Sequence, residues 1–469
     1  MGSCQSRIES REVFLRFIEV RCWPLKWHFR QRCSIFAHFG KVITTEHIEI
    51  RLGDGRGTRS VVMKLDTVIF GGGVAGLWLL DVLSRRGQHV VLFEAHELGS
   101  GQTIASQGIL HGGLKYTLQG ILTRSASQIR EMPGIWRKAL QGAPGLPSLK
   151  NTTIRSEFCY LWHTQSLSSR VGMLGARVGL AVTPEKLAAN ERPDCLAQVP
   201  GGVARLGEQV ISPCSMIQDL FHQYRDRILK CDTDHLEFEL DSPGEIKAIR
   251  VVDPQSGKEL RLRPGHVVLT AGAGNAELRA RAGLSTSAMQ RRPLHMVLAR
   301  GDLPELNGHC VDGAKTRVTI TSDLTSQGEC VWQIGGQVAE DGVGMEPVDL
   351  VAHAISEITD VLPGVSLKNT QWSTYRVDRA EGAVSGGARP ENIQLLFAGN
   401  VTTGWPTKLV LAPVLAEELS QAIQSHEPEH RFDPSSLADW QRPLVAKPIW
   451  ESQSDWLDYP VSSPVRHVA

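Results

Sequence analysis

Three features of the sequence predict an α/β protein. A short apolar run, Lys64 to Phe70 (KLDTVIF), has the character of a strand buried on both faces. It leads into GGGVAGLWLLDVLSRRG, where Gly71, Gly73 and Gly76 stand at GxGxxG spacing and Val74, Leu77, Leu80 and Leu83 make one apolar helix face. A second strand follows, His89 to Phe93, and Glu94 closes it 23 residues after Gly71 (94 minus 71). The glycine spacing alone is a weak signal. Strand, glycine turn, helix and acid-terminated strand together make a Rossmann-like dinucleotide-binding unit.

Each part has a physical task. Gly71 permits the tight turn, Gly73 lets the backbone approach a pyrophosphate, and Gly76 lets helix and strand pack closely. The phosphates sit on the helix N-terminus, at Val74, Ala75 and Gly76, where unpaired N–H groups and the helix dipole favour negative charge. Glu94 is placed to accept from ribose hydroxyls.

Composition bounds the rest. A chain of 469 residues, 41% hydrophobic and 21% charged, can bury a large core and is long enough for two domains. The longest apolar stretch, Val68 to Leu80, contains four glycines and ends at Asp81, so no membrane span is expected. With 50 basic and 50 acidic side chains the net charge is zero, and no basic stripe points to nucleic acid. A small-molecule partner fits better. Nine cysteines without CxxC pairs or His/Cys clusters at metal spacing predict reduced thiols, no metal, and a cytoplasmic protein, with peripheral association at the inner face of the membrane the one alternative. Residues 1–62 carry eleven Lys/Arg against six Asp/Glu and no sustained periodicity before Val42; they read as an extension preceding a first strand that begins after Met63.

After Glu94 the chain continues AHELGSGQTIASQGILHGGLKYTLQG. This run resembles the flavin-binding segment of the D-amino acid oxidase-like superfamily of FAD-dependent oxidoreductases. Within it, SQGILHGGLKY is most similar to the corresponding segment of the glycerol-3-phosphate dehydrogenases, and more loosely to that of the L-2-hydroxyglutarate dehydrogenases. The resemblance implies that Ser106, Gln107, His111, Gly112 and Gly113 lie against an isoalloxazine. It also implies that Lys115 and Tyr116 occupy the place of an Arg-Tyr pair that holds an anionic substrate. Lysine keeps the charge but loses the bidentate fork, which leaves a phosphate-bearing substrate open.

Later segments extend the likeness. GEQVISPCSMIQDLFHQYRDR reads as a turn and helix, and ELRLRPGHVVLTAGAGNAEL as a strand rising into Ala271 and Gly272, similar to the small-residue motif of two-dinucleotide-fold flavoproteins. Near the C-terminus, Ile393 to Ala398 reads as a strand ending at Gly399-Asn400, where many flavoproteins place Gly-Asp to hold the ribityl chain; the amide of Asn400 can still bond a hydroxyl. The loop from Thr402 to Thr407 then enters a helix whose N-terminal amides face the flavin pyrimidine edge. This distant closure favours FAD over NAD. Arg376 lies where relatives grip a substrate acid group, Lys408 where some carry a second basic residue, and Arg379 is a spare; Trp405 reads as core.

The resulting organisation is an α/β fold with a Rossmann-like FAD-binding domain (63–150, 205–281 and 375–425) interleaved with an antiparallel-sheet substrate domain (151–204 and 282–374), and a tail (426–469) draped over the surface. The implied reaction is hydride transfer from a C–OH or C–NH carbon of a small anionic substrate to flavin N5, with a quinone, another carrier or oxygen as the electron acceptor. His111 is the candidate base or flavin contact; His222, His295 and His309 are the other imidazoles to test. Rival readings are an amino-acid oxidase, a flavin-containing RNA-modifying protein and a flavin-bound scaffold. From residue 63 onward 39 basic residues face 44 acidic ones, which disfavours RNA.

Overall fold

The computed structural model describes residues 62–113, 124–164, 184–312, 315–423 and 433–458. The extension preceding residue 62, and Lys115 and Tyr116, therefore lie outside the described residues. All described residues belong to one compact unit. Within it stand two large sheets.

The first sheet is centred on the predicted first strand, Val62–Phe70. Val90–Glu94 pairs parallel on one side and Glu259–Leu269 parallel on the other, so that Phe70 faces both Phe93 and Leu269 across the ladder. Ile228–Lys230 and Val401–Trp405 extend the parallel set outward. Alternation along the central strand explains why it reads as continuously apolar. Val68 and Phe70 pack in one cluster with Val91, Phe93, Val267 and Leu269, whereas Ile69 packs in another with Leu92 and Val268. Both faces are covered, as a parallel sheet requires.

Helix Val74–Arg85 covers one face with ten buried residues, backed by Pro213–Tyr224 and Ala412–Ala422. Trp78 meets Trp136 there at 4.7 Å between ring centroids. Each fully buried Leu in this layer contributes roughly 1.5–3 kcal/mol relative to exposure. The other face is covered by the antiparallel strands Glu237–Ser242 and Glu245–Val252.

The second sheet has nine strands and is built around Met289–Gly301 and Thr370–Gly382, which pair antiparallel from Met289–Gly382 to Gly301–Thr370. Cys330–Gly335, Lys315–Leu324, Gly308–Asp312 and Cys159–Trp162 continue it. The predicted strand runs EFCYLW, HMVLAR, TRVTITSD and CVWQIGG all fall on these strands. Helix Pro347–Val361 packs on it around Trp162, Trp332 and Trp372, whose indole N–H groups donate to Val361 O, Pro304 O and Thr370 Oγ1. Thr370–Gly382 lies whole in this sheet and crosses the boundary expected at residue 375.

Two expectations are corrected. The apolar run after Asn392 does not rise into a strand-to-helix turn: Gln394–Ala398 pairs antiparallel with Val401–Trp405, and Gly399 and Asn400 form the two-residue hairpin loop between them. Gly-Asn between two apolar runs is a hairpin signal, because Gly399 must take φ +55°. The outer strand is a sheet edge with Phe397 58% exposed. The tail is also more than surface drape. Trp440 donates to Lys230 O at the first sheet, residues 444–446 pair with Leu98, and Leu457–Asp458 adds to the edge of the second sheet.

Candidate active site

At the carboxyl ends of the parallel strands lies a cavity of about 850 Å³, walled on its far side by the second sheet. This is where open α/β sheets take ligands. Its floor is the glycine turn. Gly71 adopts φ +107°, and a Cβ there would fall 2.5 Å from the Ala271 backbone; a Cβ on Gly76 would fall 2.0 Å from Gly71 O. Gly73, Val74 and Ala75 line the cavity. The helix they open has no side-chain cap from its own N-cap residue, Gly73, and no acid in its first turn, so no carboxylate of the helix itself offsets its positive end. Thr103 Oγ1 accepts from Val74 N at 3.2 Å, a contact that the motif alone does not announce.

Glu94 lines the same space and accepts from Gly72 N at 2.6 Å and His96 N at 2.8 Å. It therefore organises the turn, with lone pairs remaining on its carboxylate for a ribose. Ala271 and Gly272 complete this end; Gly272 takes φ +55°, and Asn275 Oδ1 accepts from Ala271 N at 2.8 Å.

The segment Ser106 to Gly113 crosses from the first sheet to the second. Ser106 donates to Thr103 O, and Gln107 Nε2 donates to Thr319 O at 3.2 Å and Gln333 O at 2.8 Å, fastening the segment to two strands of the second sheet. Gln333 and the Tyr375 hydroxyl both donate to Ala105 O. Burial pushes the Tyr375 phenol well above its ordinary range, so it stays a neutral donor.

His111 and His309 face one another at 5.5 Å between ring centroids, and both line the cavity. Glu208, 2% exposed, completes the group: its Oε1 accepts from Gly112 N at 2.6 Å and its Oε2 stands 3.7 Å from His111 Nδ1. Burial pushes the Glu208 carboxyl up, but contact with His111, the charges of His111 and His309 and the Gly112 amide outweigh burial and hold it below the usual carboxylate range. Thr319 Oγ1 is 2.9 Å from His309 Nδ1. Gly112 thus serves Glu208 and does not line the cavity, whereas Gly113 does. Glu208 had no local signal in the sequence, since its two imidazoles come from segments about a hundred residues away on either side.

Other histidines fall away from the chemistry. Both ring nitrogens of buried His295 are engaged, with Gly342 O and Thr374 Oγ1, and burial lowers its pKa. His222 is exposed on helix Pro213–Tyr224.

Four cations line the cavity: Arg376, Arg379, Arg389 and Lys408. Arg376 donates to Val343 O at 2.7 Å and Met345 O at 3.1 Å, so its guanidinium is held by a backbone turn. Arg379 reaches Glu340 at 3.3 Å while its Nε is buried without a partner in the protein, and burial lowers its pKa.

The C-terminal candidates divide. Gly404, Trp405, Pro406, Thr407 and Lys408 line the cavity, but Gly399, Asn400 and Thr402 do not. Asn400 spends its amide on Ile246, accepting from N at 2.8 Å and donating to O at 2.9 Å, at the amino end of the strand. Thr402 Oγ1 is bonded to His266 Nε2 at 2.8 Å. The ribityl expectation for Gly399 and Asn400, and the placing of Thr402 in a cofactor-binding loop, are therefore corrected: the hairpin moves the carboxyl end of the last parallel strand on to Trp405. Trp405 is buried and also borders the cavity. Thr407 takes φ +59°, an outlier for a β-branched residue.

These residues fit FAD. The glycine cradle and open helix end suit a pyrophosphate, and Trp405 Nε1 and Thr407 Oγ1 are buried beside the cavity without partners in the protein. Each such group costs about 1–3 kcal/mol unless a ligand supplies the bond.

Comparison with known proteins agrees. Residues 66–420 match the family model described as DAO, FAD dependent oxidoreductase. The chain is 38% identical over 397 residues to the probable FAD-dependent oxidoreductase PA4991 of Pseudomonas aeruginosa, spanning 83% of this chain and 98% of that protein. The crystal structure of PA4991 is similar at a TM-score of 0.69, covering 84% of this chain and 99% of that one. Glycine oxidase from Geobacillus kaustophilus shares the fold at a TM-score of 0.57 and 15% identity, over 79% of this chain and 98% of that one. Glycerol-3-phosphate dehydrogenase 1 of Mycobacterium tuberculosis is 34% identical over 96 residues, 19% of each chain. No helix among the described residues is long and apolar enough to cross a membrane. The chain is an enzyme of the DAO family of FAD-dependent oxidoreductases.

Proposed function

We propose that this enzyme is a dehydrogenase that oxidises a hydroxyl-bearing carbon of a small anionic substrate, a hydroxy acid or a polyol phosphate, to the carbonyl. The observation that carries the reading is His111 on the cavity wall with the buried carboxylate of Glu208 behind it. Oxidation of C–OH breaks two bonds: the C–H pair leaves as hydride and the O–H proton must go to a base. A neutral amine needs no such base, because its nitrogen lone pair drives hydride departure. An imidazole backed by a carboxylate therefore favours the hydroxyl substrate over an amino acid bound as its neutral amine.

When bound, FAD supplies the hydride acceptor. Gly71, Gly73, Val74, Ala75, Gly76, Glu94, Ala271 and Gly272 are assigned to its nucleotide half, and Ser106, Gln107, Gly113 and Thr407 to its ring end. His111 accepts the hydroxyl proton on a ring nitrogen, and the Glu208 carboxylate stabilises the imidazolium that forms. Arg376, Arg379 and Lys408 hold the anionic group, with Lys115 and Tyr116 assigned to the same task by resemblance. Gln107, through Gln333 O, and Gln333 and Tyr375, through Ala105 O, keep the segment assigned to the ring in place.

Anaerobic bleaching of the yellow enzyme tests the reading. Mixing with 2-hydroxy acids, glycerol 3-phosphate and amino acids should show bleaching by a hydroxyl compound. Bleaching by amino acids alone would reject it in favour of an amino-acid oxidase.

A further inference from the structure

We propose that His111, Glu208 and His309 form a binding site for a divalent transition-metal ion of the Zn2+ class, open to the substrate cavity. One ligating atom from each lies within 4.8 Å of the others, and His111 Nδ1 is already 3.7 Å from Glu208 Oε2. An ion with bonds of about 2.0–2.2 Å sets tetrahedral ligands roughly 3.3–3.6 Å apart, so small side-chain movements close the site.

Three further features distinguish this group from a chance polar contact. Glu208 is 2% exposed, its Oε1 is fixed by Gly112 N–H, and its Oε2 is buried without a hydrogen-bond partner in the protein. It is a fixed carboxylate aimed at two imidazoles, and among the described residues no Arg or Lys forms an ion pair with it. His309 is held through Nδ1 by Thr319, the kind of contact that orients a ligating imidazole, so coordination would use Nε2. Finally, His111 and His309 line the cavity, which leaves the remaining coordination positions facing substrate.

The donor set selects the ion. Two imidazoles and one carboxylate suit Zn2+, Co2+ or Fe2+, whereas Mg2+ and Ca2+ prefer oxygen ligands throughout. Metal and proton compete for the same nitrogens, so an occupied site withdraws His111 as proton acceptor. The inference itself does not rest on the hydroxyl reading, since the site binds metal whatever the substrate.

The test is titration calorimetry of Zn2+ into the full-length, FAD-loaded, chelator-treated protein, with Mg2+ as control. One Zn2+ per chain is expected, with affinity lowered at least about 10-fold by His309→Ala and by Glu208→Gln, and no uptake of Mg2+. His111→Asn, at a half-exposed position, provides a variant that keeps the buried pair intact should the others not fold; retained flavin absorbance reports folding. Co2+ gives a second readout, a visible ligand-field band that the three substitutions remove. Absence of saturable Zn2+ binding, or equal binding by wild type and His111→Asn, would overturn the proposal.

Discussion

The nucleotide end and the substrate end of the cavity are built in opposite ways. Gly71 to Glu94 supplies most of one end from a single contiguous stretch, folded as strand, glycine turn, helix and strand, and Ala271 and Gly272 complete it. The other end draws His111, Glu208, His309, Arg376 and Lys408 from five separated segments of two sheets. A contiguous motif is closed by local geometry. A cluster assembled by sheet registration leaves no spacing to read.

Gly73→Val should have the largest effect on this contrast. Gly73 faces the cavity and a Cβ meets only Thr103 Oγ1, at 3.2 Å, so the fold can accept the change while the branched side chain blocks the pyrophosphate. The protein is expected to purify colourless, with FAD affinity down by at least about 100-fold, or roughly 2.7 kcal/mol. Normal flavin content in the purified variant would mean that the phosphates lie elsewhere.

Next in size is His111→Ala, at the assembled end. Loss of a general base is expected to slow anaerobic flavin reduction by roughly 10²–10⁴-fold with the flavin still bound. An unchanged rate would remove the base from the mechanism. Arg376→Leu should act less on rate than on binding. A charge-assisted contact of about 1.5–3 kcal/mol corresponds to roughly 10–150-fold weaker substrate binding, read as the substrate concentration needed for half-maximal bleaching. If Arg379→Leu is the more damaging of the two, the anion sits at the strand position that carries the buried, unpartnered Nε, and Arg376 serves only the turn at Val343 to Met345.

What was legible follows the same division. The parallel core was readable because Val68, Ile69 and Phe70 are all buried on a doubly covered strand, and the antiparallel sheet because its strands are long and bounded by turn residues. Resemblance implies that Ser106, Gln107 and Gly113 lie against a flavin ring; in the structure they line the cavity on the segment that crosses between the sheets. Gly399, Asn400 and Thr402 were misplaced because a hairpin loop and a strand-to-helix turn use the same small residues; only the β-branched and aromatic run after Asn400, VTTGW, separates them. Glu208 was missed because its meaning depends on Gly112 and His111 reaching it across the fold. The packing of the tail on both sheets is illegible for a similar reason: Trp440 and Trp450 are core residues of sheets they do not adjoin in sequence.

Asn400→Ala sharpens the corrected hairpin. Asn400 makes two bonds to the Ile246 backbone, so its loss should cost about 1–3 kcal/mol of stability, seen as a lower midpoint in denaturant with an unchanged flavin spectrum. A changed flavin spectrum with unchanged stability would restore the ribityl role that the hairpin geometry removes.

The smallest expected effect is at Thr407, and it separates strain held for a ligand from strain merely tolerated. Thr407 sits at φ +59° with its hydroxyl buried and unpartnered in the protein, beside Lys408 on the cavity wall. Left-handed backbone at a β-branched residue costs on the order of 1–3 kcal/mol. Replacement by glycine relieves this but loses roughly 0.5–1 kcal/mol through the freer unfolded chain. Thr407→Gly should therefore stabilise the flavin-free protein by about 1 kcal/mol, a shift of a few degrees or less in Tm for a chain of this size. If the hydroxyl bonds the cofactor, the same substitution should weaken FAD binding by about 5- to 10-fold, the equivalent of one hydrogen bond. Stabilisation without any loss of FAD affinity would show that the strain at Thr407 belongs to the turn alone, and that the ring end of the cavity is held from Ser106 to Gly113.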